Sequence, residues 1–264
     1  MSYDPLEYWT TLHGRDGLTA VGQSGLPTSI NRWLYATMAR RLERFASTHD
    51  LRPKTVYDVG AGTGYWVAWW TAHGAVTVHG CDLVPVAVDL LRARFPGEFD
   101  ILDIAEGSPP RTYDLVSILN VLLHITDESR FEAALRNLAA AVAPGGYLLM
   151  VEPLQVGRGF RQIYPRGSSS LARPAEAYVR PLAEAGLELV SVQPATVIGS
   201  DPIEAANRLA FDGWMALWRL SKLPSKFLPA AGGLVGRIIY AVDPALLRAG
   251  RSPSAKIVLF RRPA

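Results

Sequence analysis

Cysteine is almost absent from this sequence of 264 residues, in which Cys81 is the only example. A single cysteine excludes an intramolecular disulfide framework and any zinc site built on cysteine pairs. Charged residues are also scarce, at 19%, whereas soluble domains typically contain roughly 25%. Apolar residues reach 49%, so the chain can bury a large core and disorder is not expected.

Long hydrophobic runs are absent too, because no stretch approaches the roughly 18 apolar residues of a membrane span. The longest candidate, residues 227–247, is interrupted by Arg237, Asp243, glycines and prolines. The first nine residues lack the basic segment of a signal peptide. We therefore expect a cytoplasmic protein with no membrane partner.

An excess of charge of one sign is likewise missing. The formal net charge is +3, which we interpret as dispersed along the chain rather than gathered in a basic stripe. Nucleic-acid binding is not expected from such a distribution. Arginine greatly outnumbers lysine among abundant alanine, glycine and proline, a composition typical of a high-GC bacterial genome.

Apolar periodicity divides the chain into four segments. We expect an N-terminal helical arm or cap (residues 1–50), an α/β core (51–199), a helical insertion that forms a lid over a bound ligand (200–252) and a last core strand (253–264). Within the core, strands and helices alternate, which predicts a mostly parallel sheet with helices on both faces. Strands are predicted over 55–59, 75–81, 99–104, 113–119, 147–151, 187–197 and 255–260, and helices over 31–45, 64–73, 84–95, 128–142, 174–185 and 202–220.

The two outer segments carry further expectations. Ser29 or Asn31 is predicted to cap the first long helix. In the helix over 202–220, Ile203, Ala206, Ala210, Trp214 and Leu217 follow three- and four-residue steps and predict one buried face. Residues 225–251 are rich in proline and glycine, which predicts hinges rather than helix. Aromatic side chains in both segments favour a flat, apolar ligand. Arginines follow the fifth strand at positions 158, 161, 166, 173 and 180.

A glycine-rich turn follows the first predicted strand in the string Asp58-Val-Gly-Ala-Gly-Thr-Gly. Such a turn lets the backbone approach a ligand closely before a helix begins, although nucleotide-dependent oxidoreductases share it. Asp58 would repel a pyrophosphate and suits a cationic group instead. Asp82 and Asp103 are predicted to end the second and third strands. At these positions the Asp82 carboxylate can accept hydrogen bonds from ribose hydroxyls, and the Asp103 carboxylate can accept one from an adenine amino group.

This ordered set, together with the Asn120–His124 string and Pro144-Gly-Gly, resembles the class I S-adenosylmethionine-dependent methyltransferase family. The resemblance implies a Rossmann-like sheet of seven mostly parallel strands and S-adenosyl-L-methionine as the cofactor. Trp66, Trp69 and Trp70 have the spacing of core residues, but Trp66 lies closest to the glycine turn. The cofactor-binding residues that we predict are Asp58, Gly60, Ala61, Gly62, Gly64, Trp66, Asp82, Leu83, Asp103, Ile104, Asn120 and Val121.

Catalysis of methyl transfer needs positioning and, for a protonated acceptor, a base. His124 is the histidine predicted at the mouth of the sheet, and His13 in the N-terminal arm is the second candidate; the alternative for His124 is a packing role. No metal site is expected, because no spacing of ligands specifies one. The expected reaction is methylation of a small organic acceptor, with O-methylation slightly favoured, in secondary-metabolite or sugar biosynthesis.

Three alternatives remain open at this stage. A protein of the same fold can bind the cofactor and catalyse a cyclisation or another non-methylating reaction. A nucleotide-dependent oxidoreductase would share the glycine turn, and an RNA methyltransferase would share the whole cofactor motif. A homodimer is compatible with the sequence, and the acceptor's identity is not encoded in any motif that we find.

Overall fold

A central sheet organises the part of the chain that the computed structural model describes, which comprises residues 3–14, 17–23, 26–156, 168–199, 201–227, 229–248 and 255–264. Five neighbouring strands are parallel, and the last strand runs antiparallel to both of its neighbours. The strand order is β3-β2-β1-β4-β5-β8-β7, and the two-residue β6 pairs with β5. The strands are β1 (Thr55–Val59), β2 (Thr77–Asp82), β3 (Phe99–Ile101), β4 (Tyr113–Leu119), β5 (Val142–Gln155), β6 (Arg173–Pro174), β7 (Glu188–Pro194) and β8 (Ala255–Arg261).

The α/β class and the mostly parallel Rossmann-like sheet predicted from the sequence are therefore confirmed. Helices cover both faces of this sheet. They are α1 (Pro5–His13), α2 (Thr28–Thr48), α3 (Tyr65–Ala72), α4 (Pro85–Arg94), α5 (Glu128–Ala140), α6 (Glu176–Glu184), α7 (Arg208–Phe227) and α8 (Pro229–Arg248).

The core consists of two apolar layers, one on each side of the sheet. Leu115 of β4 belongs to the layer beneath α2, α3 and α4, whereas the next residue, Val116, belongs to the layer beneath α5 and α6. Both side chains are fully buried. A strand that is covered on both faces consists of a nearly continuous run of apolar residues, and the sequence of β4 has this pattern.

Several predicted boundaries within the core are wrong by a few residues. β3 ends at Ile101 instead of residue 104, because Asp103 forms a turn in which its Oδ1 accepts from the amide of Ala105 at 2.8 Å. β5 begins at Val142, so α5 ends earlier than predicted and Pro144-Gly145-Gly146 lies inside the strand. Gly145 has a positive φ of 76° in a segment where the β4–β5 register shifts, and its amide donates to the carbonyl of Arg262 at 2.9 Å.

The predicted cap of the first long helix is also wrong. α2 begins at Thr28 after Pro27, and no side chain caps it. Asn31 is fully buried and instead fixes the preceding loop: its Oδ1 accepts from the amide of Gln23 at 3.0 Å, and its Nδ2 donates to the carbonyls of Gln23 and Leu26.

The insertion differs most from its prediction. α7 begins at Arg208 rather than at residue 202, because Asn207 caps it by accepting from the amide of Ala210 at 2.9 Å. Ile203 and Ala206 therefore lie before the helix. The buried face is rotated relative to the predicted one, since Trp218 is buried while Leu217 is 63% exposed.

Residues 229–248, predicted as a hinge segment, form the 20-residue helix α8. Pro229 occupies the first turn, where its missing amide hydrogen costs nothing. The glycines serve close packing: a Cβ on Gly232 would collide with the Ser29 side chain, and one on Gly236 with the Trp33 ring. Burial against α2 thus outweighs the low helix propensity of glycine.

This packing predicts opposite effects for two alanine substitutions in α8. Gly236→Ala should destabilise the protein by about 1–3 kcal/mol, because overpacking against Trp33 exceeds the gain in helix propensity. Gly233→Ala, where a Cβ meets nothing within 4 Å, should stabilise it by about 0.5–1 kcal/mol. Urea unfolding measures both. Equal effects of the two substitutions would contradict the close α2–α8 contact.

Candidate active site

One cavity of about 730 Å³ lies at the carboxyl ends of β1, β2 and β4. This edge is the usual ligand side of an open parallel sheet. Side chains of α1, α2 and α7 close the cavity from above, through residues such as Trp9, Met38 and Trp218. Both segments that the sequence sets apart from the core therefore border the same space as the sheet.

The glycine turn after β1 needs its glycines for two reasons. Gly60, Gly62 and Gly64 all have positive φ, at 69°, 53° and 79°. A residue with a side chain would be strained in this backbone conformation. In addition, a Cβ on Gly60 would collide with Val121, and one on Gly62 with Val21. The amide of Ala61 donates to the carbonyl of Cys81 at 2.9 Å, so the turn is fixed against β2. The glycines therefore let Val121 and Val21 pack directly on the backbone of the turn, which borders the cavity through Gly60, Ala61 and Gly62.

Asp58 lies directly behind this turn and is 1% exposed. Its Oδ1 accepts from the Ser117 hydroxyl at 2.6 Å, whereas its Oδ2 has no partner within the described part of the chain. Burial raises the pKa of Asp58 to about 7, and the Ser117 hydrogen bond opposes that shift. The unpartnered oxygen can accept from a donor group of a ligand, although the cavity wall begins at the next residue, Val59.

Asp82 ends β2 as predicted and borders the cavity. Its two oxygens accept from the amides of Gly62 at 2.8 Å and Val84 at 2.9 Å, which ties the second strand to the glycine turn. Burial raises its pKa, while the amides and nearby His13 lower it. His13, the second candidate base, therefore lies beside Asp82, and burial lowers the pKa of its ring.

Asp103 and Ile104 border the cavity from the loop after β3. The partner of this carboxylate was not predicted from the sequence: Asp103 Oδ2 lies 2.5 Å from Arg130 Nη2. Arg130 also pairs with Glu106 at 3.0 Å and itself borders the cavity. No local sequence signal links Arg130 to Asp103, because 27 residues separate them.

The loop after β4 begins at Asn120, whose φ of 58° is a left-handed conformation that asparagine tolerates. Glu152 holds this loop in place, although no local sequence signal assigns it to the loop. Its fully buried carboxylate accepts from the amides of Val121, Leu122 and Leu123 at 2.9, 2.8 and 3.1 Å. Burial raises the pKa of Glu152 to about 8, and the three amides oppose this shift.

His124 follows this loop and borders the cavity. Its Nδ1 donates to the carbonyl of Ser169 at 2.6 Å, which leaves the lone pair on Nε2. The Trp9 ring meets the imidazole edge-on, with 4.8 Å between ring centroids. Enclosure by protein lowers the pKa of His124 to about 4, so the ring is neutral at pH 7.

Most of the remaining residues that were predicted to bind the cofactor line the cavity, and one does not. Gly60, Ala61, Gly62, Leu83, Asn120 and Val121 border it, and Gly64 does not. Trp66 borders it as well and stacks on Tyr35, whereas Trp69 and Trp70 are buried in the core. Arg158, Arg161 and Arg166 lie outside the described residues. Arg173 is buried against Phe131, and Arg180 is exposed beside Glu184.

No group of three His, Cys, Asp or Glu side chains that could hold a metal ion occurs among the described residues. The same residues contain no helix long and apolar enough to cross a membrane.

Comparison with family models places residues 30–192 in a methyltransferase domain family. The chain belongs to this family, the class I S-adenosylmethionine-dependent methyltransferases. A search of curated proteins finds no match. The matched region covers β1 to β5, and so includes every residue that we predict to bind the cofactor.

Solved structures support the same fold. The methyltransferase is similar to a Leishmania major S-adenosylmethionine-dependent methyltransferase, with 20% identity, 74% and 76% of the two chains covered and a TM-score of 0.60. The N-methyltransferase NodS of Bradyrhizobium japonicum, in complex with S-adenosylhomocysteine, has 15% identity, 88% coverage of both chains and a TM-score of 0.54. The [4+2]-cyclase SpnF has 19% identity, 86% and 81% coverage and a TM-score of 0.53.

The Glu152 contacts predict a large and specific loss of stability. Glu152→Ala removes the acceptor of three loop amides and should destabilise the methyltransferase by about 1–3 kcal/mol, the usual cost of unsatisfied buried donors. Glu132→Ala is the matched control on the exposed side of α5, where Glu132 lies 3.9 Å from Arg136, and it should change stability by less than about 0.5 kcal/mol. Urea unfolding distinguishes them, and equal losses would contradict the role of Glu152.

Proposed function

We propose that the methyltransferase transfers a methyl group to a small organic acceptor, with oxygen as the favoured acceptor atom. The observation that carries this proposal is the shared cavity, in which the glycine turn, Asp82 and His124 border the same 730 Å³. A space of this size is within the range of small-molecule sites, roughly 300–1,000 Å³. Aromatic residues of α1 and α2 line its outer part, which suits a flat or apolar acceptor.

The residues at the sheet edge fit S-adenosyl-L-methionine. The glycine turn and Asp82 border the cavity, and just behind the turn Asp58 Oδ2 is a buried acceptor with no partner among the described residues. In this proposal, Asp82 holds the ribose hydroxyls, Asp103 and Ile104 contact the adenine, and Asn120 and Val121 contact the methionine part. When bound, the cofactor supplies an electrophilic methyl group on a sulfonium.

His124 is the proposed base. The Ser169 carbonyl fixes the proton on Nδ1, so Nε2 can take the proton of an acceptor hydroxyl while the acceptor oxygen bonds to the methyl carbon. The sulfonium sulfur of a bound cofactor would be the leaving group and would keep the electron pair of the broken carbon–sulfur bond. A pKa near 4 keeps His124 in the neutral, proton-accepting form throughout the physiological pH range.

The outer segments form the proposed cover of the acceptor side. Residues 1–50 contribute Tyr8 and Trp9, and residues 200–252 contribute Met215 and Trp218 to the cavity wall. We propose that this cover opens for the acceptor and excludes water on closing. Hydrogen exchange of α7 as slow as that of β4 without ligands would contradict its opening.

A non-methylating reaction is the second candidate, because SpnF, a [4+2]-cyclase, shares the fold. Fold alone does not choose between the two reactions. A mass-spectrometric screen of bacterial metabolite extracts decides between them. Methyl transfer yields S-adenosylhomocysteine together with an acceptor that is heavier by one methyl group, whereas a cyclisation yields neither.

Replacement of Asp82 tests the cofactor site. Asp82→Ala should weaken S-adenosylmethionine binding by about 1.5–3 kcal/mol, roughly 10- to 150-fold, because charge-assisted hydrogen bonds are lost. Asp89→Ala, on the exposed side of α4, is the control and should leave the affinity unchanged. Titration calorimetry measures both. An unchanged affinity for Asp82→Ala would place the cofactor elsewhere.

Replacement of His124 tests the base. With an acceptor in hand, His124→Ala should reduce kcat by about 10²- to 10⁴-fold with cofactor affinity preserved. Because its pKa is lowered to about 4, protonation of His124 should cause no loss of activity between pH 8 and pH 6. His49→Ala, in the loop after α2, is the control. Activity above a tenth of the wild-type value would assign His124 a packing role.

A further inference from the structure

The two helices of the insertion, α7 and α8, expose large apolar side chains on the faces that point away from the core. On α7, Leu209, Leu217, Leu220 and Leu223 lie within about 120° of the helix circumference, and Leu209 is 82% exposed. On α8, Leu234, Ile238 and Val242 follow steps of four residues, and Leu234 is 62% exposed. We call these seven residues the outer face of the α7–α8 pair.

The opposite faces of both helices are already occupied. Gly232, Gly236 and Ile239 of α8 pack on α2, and Trp218 of α7 is buried with them. The core therefore does not require the outer leucines. Scattered apolar residues are normal on a protein surface, but seven on one pair of adjacent helices indicate an interaction surface.

The same helices carry an excess of basic over acidic residues. Residues 208–248 contain six arginine and lysine residues and two acidic ones, which gives a formal charge of +4. Since the whole chain carries +3, the rest of the molecule carries −1. One of the two acids, Asp243, is buried and accepts from the amides of Val197 and Ile198. The segment thus carries a larger net charge than the whole chain, although 21 of the 27 basic residues lie elsewhere and Arg208 pairs with Asp212 at 2.9 Å.

Exposed leucines beside basic residues on an amphipathic helix are the features of a segment that lies in the headgroup region of a membrane. We propose that the outer face of α7 and α8 docks on the surface of a membrane that contains anionic lipids. In this proposal the leucines enter the boundary of the acyl chains, and the net positive charge of the segment attracts it to the anionic headgroups. Neither helix crosses the bilayer, in agreement with the absence of a spanning segment among the described residues.

Charge favours this occupant over a second copy of the chain. Pairing two outer faces would bring two segments of charge +4 together, which is repulsive, whereas an anionic surface is complementary. Docking also has a consequence for the cavity, because α7 borders it through Met215, Trp218 and Arg219. A docked pair of helices brings one wall of the cavity next to the lipid surface.

Cosedimentation with vesicles tests the proposal on the full chain. The protein should bind vesicles of phosphatidylcholine with one third phosphatidylglycerol, bind neutral phosphatidylcholine vesicles at least about tenfold less well, and be released by high salt. The double variant Leu217→Ser, Leu220→Ser should lower the partition coefficient into anionic vesicles by at least about tenfold, because each buried leucine contributes strongly.

The matched control is Val86→Ser, Leu90→Ser on α4, where the exposed fractions are 44% and 46%. It should partition as the wild type does, and thermal unfolding should show that both double variants are folded. Failure of the wild type to bind anionic vesicles would overturn the proposal. So would equal losses in the two double variants, or a dimer in light scattering that only the α7 variant dissociates, since the outer face would then join two copies.

Discussion

The hydrogen bonds between the Glu152 carboxylate and three successive loop amides determine the shape of the site. They hold Val121, Leu122 and Leu123 after the end of β4. The backbone that leads directly to His124 is thereby fixed in position. Val121 in turn contacts the position where a Cβ on Gly60 would lie. The glycine turn, the β4 loop and the candidate base are thus linked through one buried carboxylate that does not itself border the cavity.

Three buried acids at the sheet edge share this construction and its cost. Burial raises the pKa values of Asp58, Asp82 and Glu152, and in each case hydrogen bonds from hydroxyl or amide groups oppose the shift. Such desolvation is expensive unless donors converge on the carboxylate. Asp82 and Glu152 have both oxygens satisfied by backbone amides, so their orientation is set before any ligand arrives. Within the part of the chain that the structure describes, Asp58 Oδ2 has no partner, which makes Asp58 the acid with room for a further donor although the cavity wall begins at Val59.

The central part of the fold could be predicted because its signals are local. Buried parallel strands consist of apolar runs that can be recognised in the sequence. The glycine turn directly follows one such strand, and Asp82 is the last residue of another. Glu152 could not be assigned to the β4 loop in this way, since its partners are about thirty residues distant. The same reason hides the Asp103–Arg130 pair. α8 was missed because glycine signals flexibility locally, while here it allows contact with Ser29 and Trp33.

α7 has two apolar faces with different tasks. One face carries Trp218 and Met215 toward the cavity, and the other presents Leu217 and Leu220 to the surroundings. A helix that is apolar on opposite sides gains little by exposing one of them, so its composition is best explained if both faces have partners. A cover that must separate from the core to admit an acceptor loses contacts on its inner face as it does so. If the cover opens and the outer face docks as proposed, contacts of the outer face offset part of that loss and connect the opening of the cavity to the docking surface.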